Sequence, residues 1–272
     1  MSLSVMWPKF SRLALLGLLA VAVQLAGRGS TPVEESPDTT AERLYKEARE
    51  DMTAGSYERA IKTLERVESL AAGSLLSQQA QLDTAYMHWR NGERTEGLAA
   101  VNRFIKLNPS SPALDYALYL RGVINFNENL GLLGKIADQD LSERDQSAAR
   151  ESFQSFKQLI DQFPQSRYAG DAKARMNFII NALASYEVHV ARYYFRRGAY
   201  VAAAARAQQA VSEFQRSPAA EEALFLMMQS YDKLQLTSLR DDAERVLRKN
   251  FPDSAFLNQG NALSARPWWR FW

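Results

Sequence analysis

Hydrophobic residues in the middle of the chain recur at the spacing of an α-helix. Leu44, Ala48 and Met52 are four residues apart, so they share one face of a helix. A break follows at Gly55, where glycine can adopt the positive φ that ends a helix at little cost. A second apolar stripe then begins at Ala60. The pattern predicts two helices joined by a tight turn, which together form a helical hairpin.

The hairpin pattern recurs along the chain. The spacing of Ala191, Gly198 and Ala203 repeats that of the alanines on either side of Gly55, and methyl-sized side chains let two helices approach closely. A unit of about 34 residues with a small residue, a turn glycine, a second small residue and a closing proline resembles the tetratricopeptide (TPR) repeat. We therefore predict an all-α superhelical solenoid over residues 41–257, with five hairpins at about 41–70, 78–107, 113–163, 171–214 and 221–250.

Turns between and within the hairpins carry their own signals. Phe163–Pro164 and Phe251–Pro252 each precede a polar residue and a serine, which is a second sign of repetition. Tyr194 and Tyr200 are predicted to pack around the Gly198 turn, whereas the turn of the fifth hairpin lacks glycine. An insertion over residues 127–146 interrupts the third hairpin and is predicted to be a contact surface, because long loops in compact units are usually functional.

The first 29 residues predict an export leader. Lys9 and Arg12 precede an apolar run from Leu13 to Leu25, which is shorter than the roughly 20 residues of a membrane-spanning helix. Leu25-Ala26-Gly27 resembles the start of a bacterial lipobox, but Arg28 stands where the lipidated cysteine would be. Because arginine has no thiol to acylate, we expect a chain without attached lipid, either periplasmic or held at the membrane by its leader.

Two further segments flank the predicted solenoid. Residues 30–40 are rich in Pro, Ser, Thr and acids, which predicts a flexible linker with a helix starting at residue 41 and capped by Thr40. Residues 258–272 form a tail that ends in Pro267-Trp268-Trp269-Arg270-Phe271-Trp272. That density of aromatics predicts docking to a partner or packing back on the last helix.

Composition excludes several classes of function. The 33 basic and 31 acidic residues nearly balance, and three of the basic ones lie in the leader, which argues against nucleic acid as a partner. The absence of cysteine excludes disulfides and thiolate sites, and the two histidines, His88 and His189, are too far apart in sequence to be a metal pair. No cofactor or metal is expected.

Aromatic residues of the first helices are candidates for a binding groove. First helices of TPR hairpins line the inner surface of the solenoid, and Tyr45, Tyr86 and Trp89 occupy positions that can face it. We expect them to contact an extended or helical peptide. The alternative is that Tyr86 and Trp89 pack between repeats, since aromatics dominate cores.

Several longer stretches resemble one family. They are Asp115-Tyr116-Ala117-Leu118-Tyr119-Leu120-Arg121-Gly122, Arg144-Asp145, Phe163-Pro164-Gln165-Ser166-Arg167-Tyr168-Ala169, Asp171-Ala172-Lys173-Ala174-Arg175-Met176 and Glu187-Val188-His189-Val190-Ala191-Arg192-Tyr193-Tyr194. With the leader and solenoid, they resemble the BamD family of the outer-membrane β-barrel assembly machinery. Where that family has an aromatic-proline turn after the first hairpin, this chain has Ser69-Leu70-Ala71-Ala72-Gly73-Ser74.

The resemblance implies a non-catalytic scaffold at the periplasmic face of the outer membrane. Its implied partners are BamA, BamC, BamE and unfolded outer-membrane β-barrel proteins. It also implies a BamA contact in the C-terminal half, where Arg192, Arg197 and Tyr200 lie near the Gly198 turn. An arginine beside a rigid turn can meet a carboxylate in a two-pronged contact.

Two alternatives compete with this interpretation. A lytic transglycosylase also has an exported helical superhelix, and Glu151-Ser152 matches its catalytic dipeptide, but the Gly-Leu-Met-Gln-like stretch expected downstream is absent from the sequence. A pilotin-type TPR lipoprotein that escorts a secretin is the other alternative. Recovery of BamA or of a secretin from an envelope extract would separate the two binding classes.

Overall fold

A computed structural model describes residues 36–126 and 143–258 of the chain, and these residues form a series of α-helices. In chain order they are α1 Pro37–Thr53, α2 Tyr57–Leu70, α3 Leu75–Arg90, α4 Arg94–Leu107, α5 Leu114–Asn125, α6 Glu143–Gln162, α7 Ala169–Arg196, α8 Tyr200–Glu213, α9 Ala219–Lys233, α10 Thr237–Asn250 and α11 Ala255–Asn258.

The helices pack as five consecutive hairpins, α1–α2, α3–α4, α5–α6, α7–α8 and α9–α10, and each hairpin packs on the next. Buried apolar side chains run between neighbouring pairs as a series of connected clusters. The predicted all-α solenoid of TPR-like hairpins is therefore confirmed. A hairpin alone would leave one apolar face in water, and stacking on its neighbours removes that face from solvent.

Four of the hairpin turns share one backbone geometry. Gly55, Gly92 and Gly198 have φ of 75°, 83° and 76°, and Gln235 reaches 59° at the corresponding position of the fifth hairpin. In each case the following residue donates its N–H to a carbonyl five residues back: Ser56 to Asp51, Glu93 to His88, Ala199 to Tyr194 and Leu236 to Tyr231. This bond closes the last turn of the first helix in a Schellman motif.

Connections between hairpins repeat a second geometry, built around a serine. Ser111, Ser217 and Ser254 are almost fully buried, and Ser166 is half-buried. Their hydroxyl oxygens accept the N–H two residues ahead, in Ala113, Tyr168, Ala219 and Phe256. Each serine also donates its own N–H to the carbonyl three residues behind. The same short turn therefore follows the second, third, fourth and fifth hairpins, whereas in the α2–α3 connection Ser74 Oγ accepts the N–H of Ser77, three residues ahead.

The first helix begins four residues earlier than the sequence pattern predicted. It starts at Pro37, and Ser36 rather than Thr40 is its N-cap, since Thr39 N–H donates to Ser36 Oγ at 3.2 Å. Proline is favoured at the first position of a helix, because its missing N–H has no helical partner there. The expected linker of residues 30–40 is therefore wrong in its last four positions.

Two helices approach each other closely in the third hairpin. Gly122 of α5 lies against Phe156 of α6, where an added Cβ would meet Phe156 Cε1 at 2.4 Å. Ser152 Oγ of α6 donates to the Gly122 carbonyl oxygen at 2.8 Å. In the fourth hairpin Ala191 and Ala203 are both fully buried, as expected for small residues at a crossing.

Some predictions fall outside the described residues. They concern the leader with Arg28, most of the 30–40 linker, the greater part of the 127–146 insertion, and the aromatic tail beyond Asn258. Among the described helices, none has the length and the apolar content needed to cross a membrane.

Candidate functional site

A polar contact joins the first helices of the first two hairpins. Tyr45 of α1 donates its hydroxyl to Asp83 Oδ2 of α3 at 2.8 Å, and Gln79 Nε2 donates to the other carboxylate oxygen at 2.9 Å. Tyr86 lies three residues after Asp83, on the same face of α3. The predicted groove residues Tyr45 and Tyr86 thus lie on adjoining helices with Asp83 between them.

Trp89 packs between repeats, which is one of the two alternatives from the sequence, and contact with a peptide stays a prediction. Its ring lies 5.6 Å from that of Tyr86, at an angle of 46°. It also packs against the core shared by α3, α4 and α5, beside Leu98 and Tyr116. Trp89 is half-buried, so one part of the indole closes the core while another stays accessible next to Tyr86.

Asp83 is an unusually buried acid, with 7% of its surface exposed. Burial raises the pKa of its carboxyl group, against the lowering effect of the hydrogen bonds from Tyr45 and Gln79. Burial, followed by the nearby Asp83 carboxylate, raises the pKa of Tyr45 to about 12. Tyr45 and Gln79 each donate a hydrogen bond to the Asp83 carboxylate, which satisfies the need of a buried acceptor for donors.

Tyrosines of the third hairpin and of the start of α7 extend this surface. Tyr168 lies 5.5 Å from Tyr116 and stacks on Tyr119 at 4.7 Å, with the two rings 19° from parallel. Tyr119 donates its hydroxyl to Asp171 Oδ2 of α7 at 2.8 Å. We name Tyr45, Tyr86, Tyr116, Tyr119 and Tyr168 together the tyrosine stripe.

Two arginines lie along the tyrosine stripe. Arg90 donates to the hydroxyl oxygens of Tyr86 and Tyr57 at 2.9 and 3.0 Å, and its guanidinium lies 5.8 and 5.5 Å from the two ring centres. Arg175 donates to Asp171 Oδ2 at 2.6 Å and lies 4.7 Å from the ring centre of Phe126. Both contacts have cation–π geometry.

The stripe offers chemistry for recognition. Half-buried tyrosine rings with their hydroxyls, and the N–H donors of the exposed Arg90, suit a polypeptide with aromatic and polar side chains. Sequence reasoning missed Asp83, Tyr116, Tyr119 and Tyr168 as site residues. The available signal was the recurrence of tyrosine on successive first helices, but which tyrosines adjoin depends on how the hairpins stack.

The described residues contain no cluster of three or more His, Asp or Glu side chains that could hold a metal ion. Ser152, from the dipeptide that matched a transglycosylase, is fully buried and bonded to the Gly122 carbonyl. Glu151 is exposed on the regular helix α6. The dipeptide therefore contributes a helix-packing serine and a surface acid.

The three candidate residues of the C-terminal half have different surroundings. Arg192 of α7 donates Nε to Glu222 Oε1 of α9 at 2.9 Å and also bonds that oxygen through Nη2. Arg197 is exposed, with its guanidinium 5.3 Å from the ring centre of Tyr193. Arg192 thus braces two neighbouring hairpins, whereas Arg197 faces solvent.

Tyr200 packs on Phe195 at 5.4 Å, and Tyr194 instead contacts Tyr193 at 5.7 Å. The ring contact across the Gly198 turn is therefore between Tyr200 and Phe195. Residues 194 and 195 are neighbours on a helix and point in directions about 100° apart, so helix rotation decides which of them faces Tyr200.

Exposed apolar side chains and Arg197 lie at the turns of the last two hairpins. Tyr193 and Val201 belong to the α7–α8 turn and Leu236 and Leu239 to the α9–α10 turn, with exposures of 45%, 70%, 44% and 45%. We name these four residues with Arg197 the turn patch. Exposed apolar side chains near charged ones are typical of a protein contact surface.

Comparison with known proteins identifies the class. Residues 37–257 match the model of the YfiO family, described as outer membrane lipoprotein. The chain is thus a TPR-like helical solenoid that belongs to this family. Its curated relatives carry the name outer membrane protein assembly factor BamD. The relative from Neisseria meningitidis serogroup B is 44% identical over 94% of this chain and 96% of its own length.

More distant relatives with the same name extend the match. The protein of Xylella fastidiosa strain Temecula1 is 34% identical over 91% of this chain and 85% of its own, and that of Vibrio cholerae is 33% identical over 87% and 97%. A solved kinesin light chain repeat structure aligns over 81% of this chain and 99% of its own, with 13% identity and a TM-score of 0.37. The fold is defined here by the helix packing rather than by that likeness.

Proposed function

We propose that the chain is a non-catalytic assembly factor for outer-membrane β-barrel proteins that acts from the periplasmic face of the outer membrane. The observation that carries the proposal is the tyrosine stripe, a set of half-buried tyrosines on the first helices of three hairpins and at the start of α7. Membership of the family, with relatives named as outer membrane protein assembly factors, supports the same conclusion.

The stripe is proposed to bind unfolded barrel polypeptides. Barrel strands alternate apolar and polar residues and carry aromatic girdles, and half-buried tyrosine rings complement aromatic side chains. The Tyr45–Asp83 and Tyr119–Asp171 hydrogen bonds, both 2.8 Å, hold the rings in place before a ligand arrives. A pre-organised surface loses little conformational entropy on binding.

Photo-crosslinking tests the groove. A photoreactive phenylalanine analogue replaces Tyr45, Trp89 or Tyr116 in turn, and unfolded barrel peptides are added. We expect adducts from all three positions. The matched control carries the same analogue at the exposed Lys62 of α2, outside the stripe. Adducts from Lys62 alone would contradict a groove on the first helices.

BamA is proposed to bind the C-terminal half at the turn patch. Arg197 and Tyr200 flank the rigid Gly198 turn, and the exposed Tyr193 and Val201 adjoin them. Arg192 contributes indirectly, because its bonds to Glu222 fix the relative position of the hairpins that carry the patch. BamC and BamE are further proposed partners through the same family membership.

Arg197→Glu tests this contact. Reversing a charge at an interface should lower BamA recovery about ten-fold, which corresponds to roughly 1.4 kcal/mol. Arg245→Glu is the control, because Arg245 is an exposed arginine of the α10 surface, paired with Asp242 in its own helix. Equal recovery of BamA by both variants would remove Arg197 from the contact. Recovery of a secretin in place of BamA would favour the pilotin alternative.

The non-catalytic part of the proposal has its own test. The purified chain and Glu151→Gln are incubated with peptidoglycan, and we expect no release of fragments by either protein. Turnover by the original chain that is lost in Glu151→Gln would make the chain a transglycosylase.

A further inference from the structure

Exposed leucines lie along one edge of the first two hairpins. Leu75 is 69% exposed, Leu107 is 63% exposed and Leu70 is 39% exposed. Leu70 ends α2, Leu75 begins α3 and Leu107 ends α4. In antiparallel hairpins, the end of each second helix lies beside the start of the next first helix. We name these three residues the leucine edge.

Hydrogen bonds show that the leucine edge is one continuous part of the surface. Glu68 of α2 accepts from Gln81 of α3 at 3.1 Å and from Arg103 of α4 at 3.1 Å. The Glu68 carbonyl also accepts from Ser77 Oγ at 3.2 Å. These contacts lie within a few residues of each leucine, so the three side chains project from one braced rim.

The exposed apolar residues of the turn patch lie on the other edge of the solenoid. Tyr193, Val201, Leu236 and Leu239 are at the hairpin turns of α7–α8 and α9–α10. Hairpin turns occupy the opposite edge of the solenoid from the connections between hairpins. These two groups of exposed apolar side chains therefore lie on different edges and in different halves of the part of the chain that the structure describes, and Val246, 37% exposed, lies within α10. The leucine edge thus calls for a partner other than the one proposed for the turn patch.

The chain before α1 leaves from the leucine edge. Ala41, near the start of α1, shares a core cluster with Val67 and Ala71 at the end of α2. The apolar run that ends at Leu25 is followed by about eleven residues before α1, which can span at most about 40 Å. When the apolar run is held at a membrane, this short connection keeps the leucine edge within about 40 Å of the same membrane.

Charged side chains of both signs lie beside the leucines. Lys62, Arg66 and Lys106 are exposed near Leu70 and Leu107, and Asp38, Glu42 and Glu65 are exposed in the same region, while Glu68 is paired with Arg103 at 3.1 Å. Long basic side chains can contact lipid phosphates while neighbouring leucines enter the acyl boundary, so this edge suits the headgroup region of a bilayer.

We infer that the leucine edge docks on the surface of a phospholipid bilayer. This inference goes beyond the proposed assembly function and does not require it. It gives the solenoid a fixed orientation, with the first two hairpins against the lipid and the turn patch on the edge turned away from it.

Site-specific reporters test the inference, and the absence of cysteine makes each introduced thiol unique. An environment-sensitive dye is placed on Leu75→Cys or Leu107→Cys of the full chain, with Val201→Cys and Leu239→Cys as matched controls. Vesicles contain phosphatidylethanolamine and phosphatidylglycerol, with or without a lipid-bound quencher. We expect the quencher to reach the dye at positions 75 and 107 and not at positions 201 and 239.

A second arm tests cooperation along the edge. Leu70→Ser with Leu75→Ser should shift the docking equilibrium reported from Leu107→Cys by about ten-fold, since two leucines no longer leave water. Leu236→Ser with Leu239→Ser should leave that signal unchanged. Equal quenching at all four reporter positions on vesicle-bound chain would overturn the inference. Protection of positions 75 and 107 that needs an added protein instead of vesicles would also overturn it.

Lipid docking at the leucine edge and peptide binding at the tyrosine stripe can be tested independently. Loss of lipid docking in Leu70→Ser with Leu75→Ser should leave crosslinking of barrel peptides at Tyr45 unchanged, because Tyr45 lies on α1 and contacts Asp83 instead. Loss of both signals in this variant would contradict a separate lipid-docking edge.

Discussion

A single methyl group at Gly122 tests the packing that positions the tyrosine stripe. In Gly122→Ala the new Cβ would lie 2.4, 2.6 and 2.8 Å from three ring atoms of Phe156, distances that real Cβ contacts do not reach. Phe156 cannot move into solvent, because it is fully buried with Tyr119 and Phe126 rings 6.0 and 6.4 Å away. The helices α5 and α6 must therefore separate.

Unfavourable packing and favourable helix propensity together set the change in the free energy of unfolding of Gly122→Ala. Overpacking a core costs about 1–3 kcal/mol, and a ring closed in on several sides belongs at the upper end of that range. Separation also stretches the 2.8 Å hydrogen bond from Ser152 to the Gly122 carbonyl. Replacing glycine by alanine inside a helix returns about 1 kcal/mol. We expect Gly122→Ala to lower the free energy of unfolding by about 2 kcal/mol.

Chemical denaturation followed by circular dichroism measures the change, and Gly170→Ala is its control. Gly170 lies within α7, and an added Cβ there meets no atom within 4 Å, so the same substitution should stabilise the chain slightly. Phe156→Leu should recover part of the loss in the Gly122→Ala background, which a double-mutant cycle isolates. Equal stabilisation by both glycine substitutions would refute the clash at Gly122.

Three further predictions address the turns, the stripe and the leader. Gln235→Gly should raise the free energy of unfolding by up to about 1 kcal/mol, because a side chain in the left-handed region costs about 1–2 kcal/mol and glycine flexibility offsets part of this; a less stable variant in denaturant would exclude strain at this turn. Burial and Asp83 raise the pKa of Tyr45 from 10.0 to about 12, so the unfolded chain loses this proton first and stability falls as pH rises from about 10 to about 12. Tyr45→Phe should remove that part of the decline in a denaturation series, and an unchanged decline would contradict the assignment. Arg28→Cys should gain a lipid label and detergent-dependent fractionation with the outer membrane, whereas mass spectrometry of the original N-terminus should find no lipid; a lipidated original chain would show that Arg28 is not decisive.

Sequence periodicity was sufficient for the number of hairpins and for most of their turns, because glycine and small residues mark sharp backbone changes and close crossings. Periodicity did not show that the turn of the fifth hairpin has the same geometry as the glycine turns, because Gln235 adopts the left-handed conformation without being a glycine. It also misplaced the start of α1, because Pro37 was interpreted as part of a linker although proline after a capping serine equally begins a helix.

The candidate site was less predictable than the fold. Tyr45 and Tyr86 could be proposed from their place on first helices, but Tyr45 bonds Asp83 across 38 positions and Tyr119 bonds Asp171 across 52. Such pairs depend on the rotation of each helix and on the step between hairpins, neither of which periodicity determines. Arg192 illustrates the same limit, because its internal partner Glu222 lies in the next hairpin.

The length of α7 has a consequence for how the molecule opens. Ala172, Ile179 and Leu183 belong to the core of the third hairpin, whereas Val188 and Ala191 belong to the core of the fourth and fifth. Because this one helix of 28 residues packs in both cores, opening of one core frees one half of α7 and removes support from the half that packs in the other core. Amide hydrogen exchange should therefore be equally slow through the middle of α7 and should rise only at its ends, which makes the last three hairpins one unit of opening rather than three.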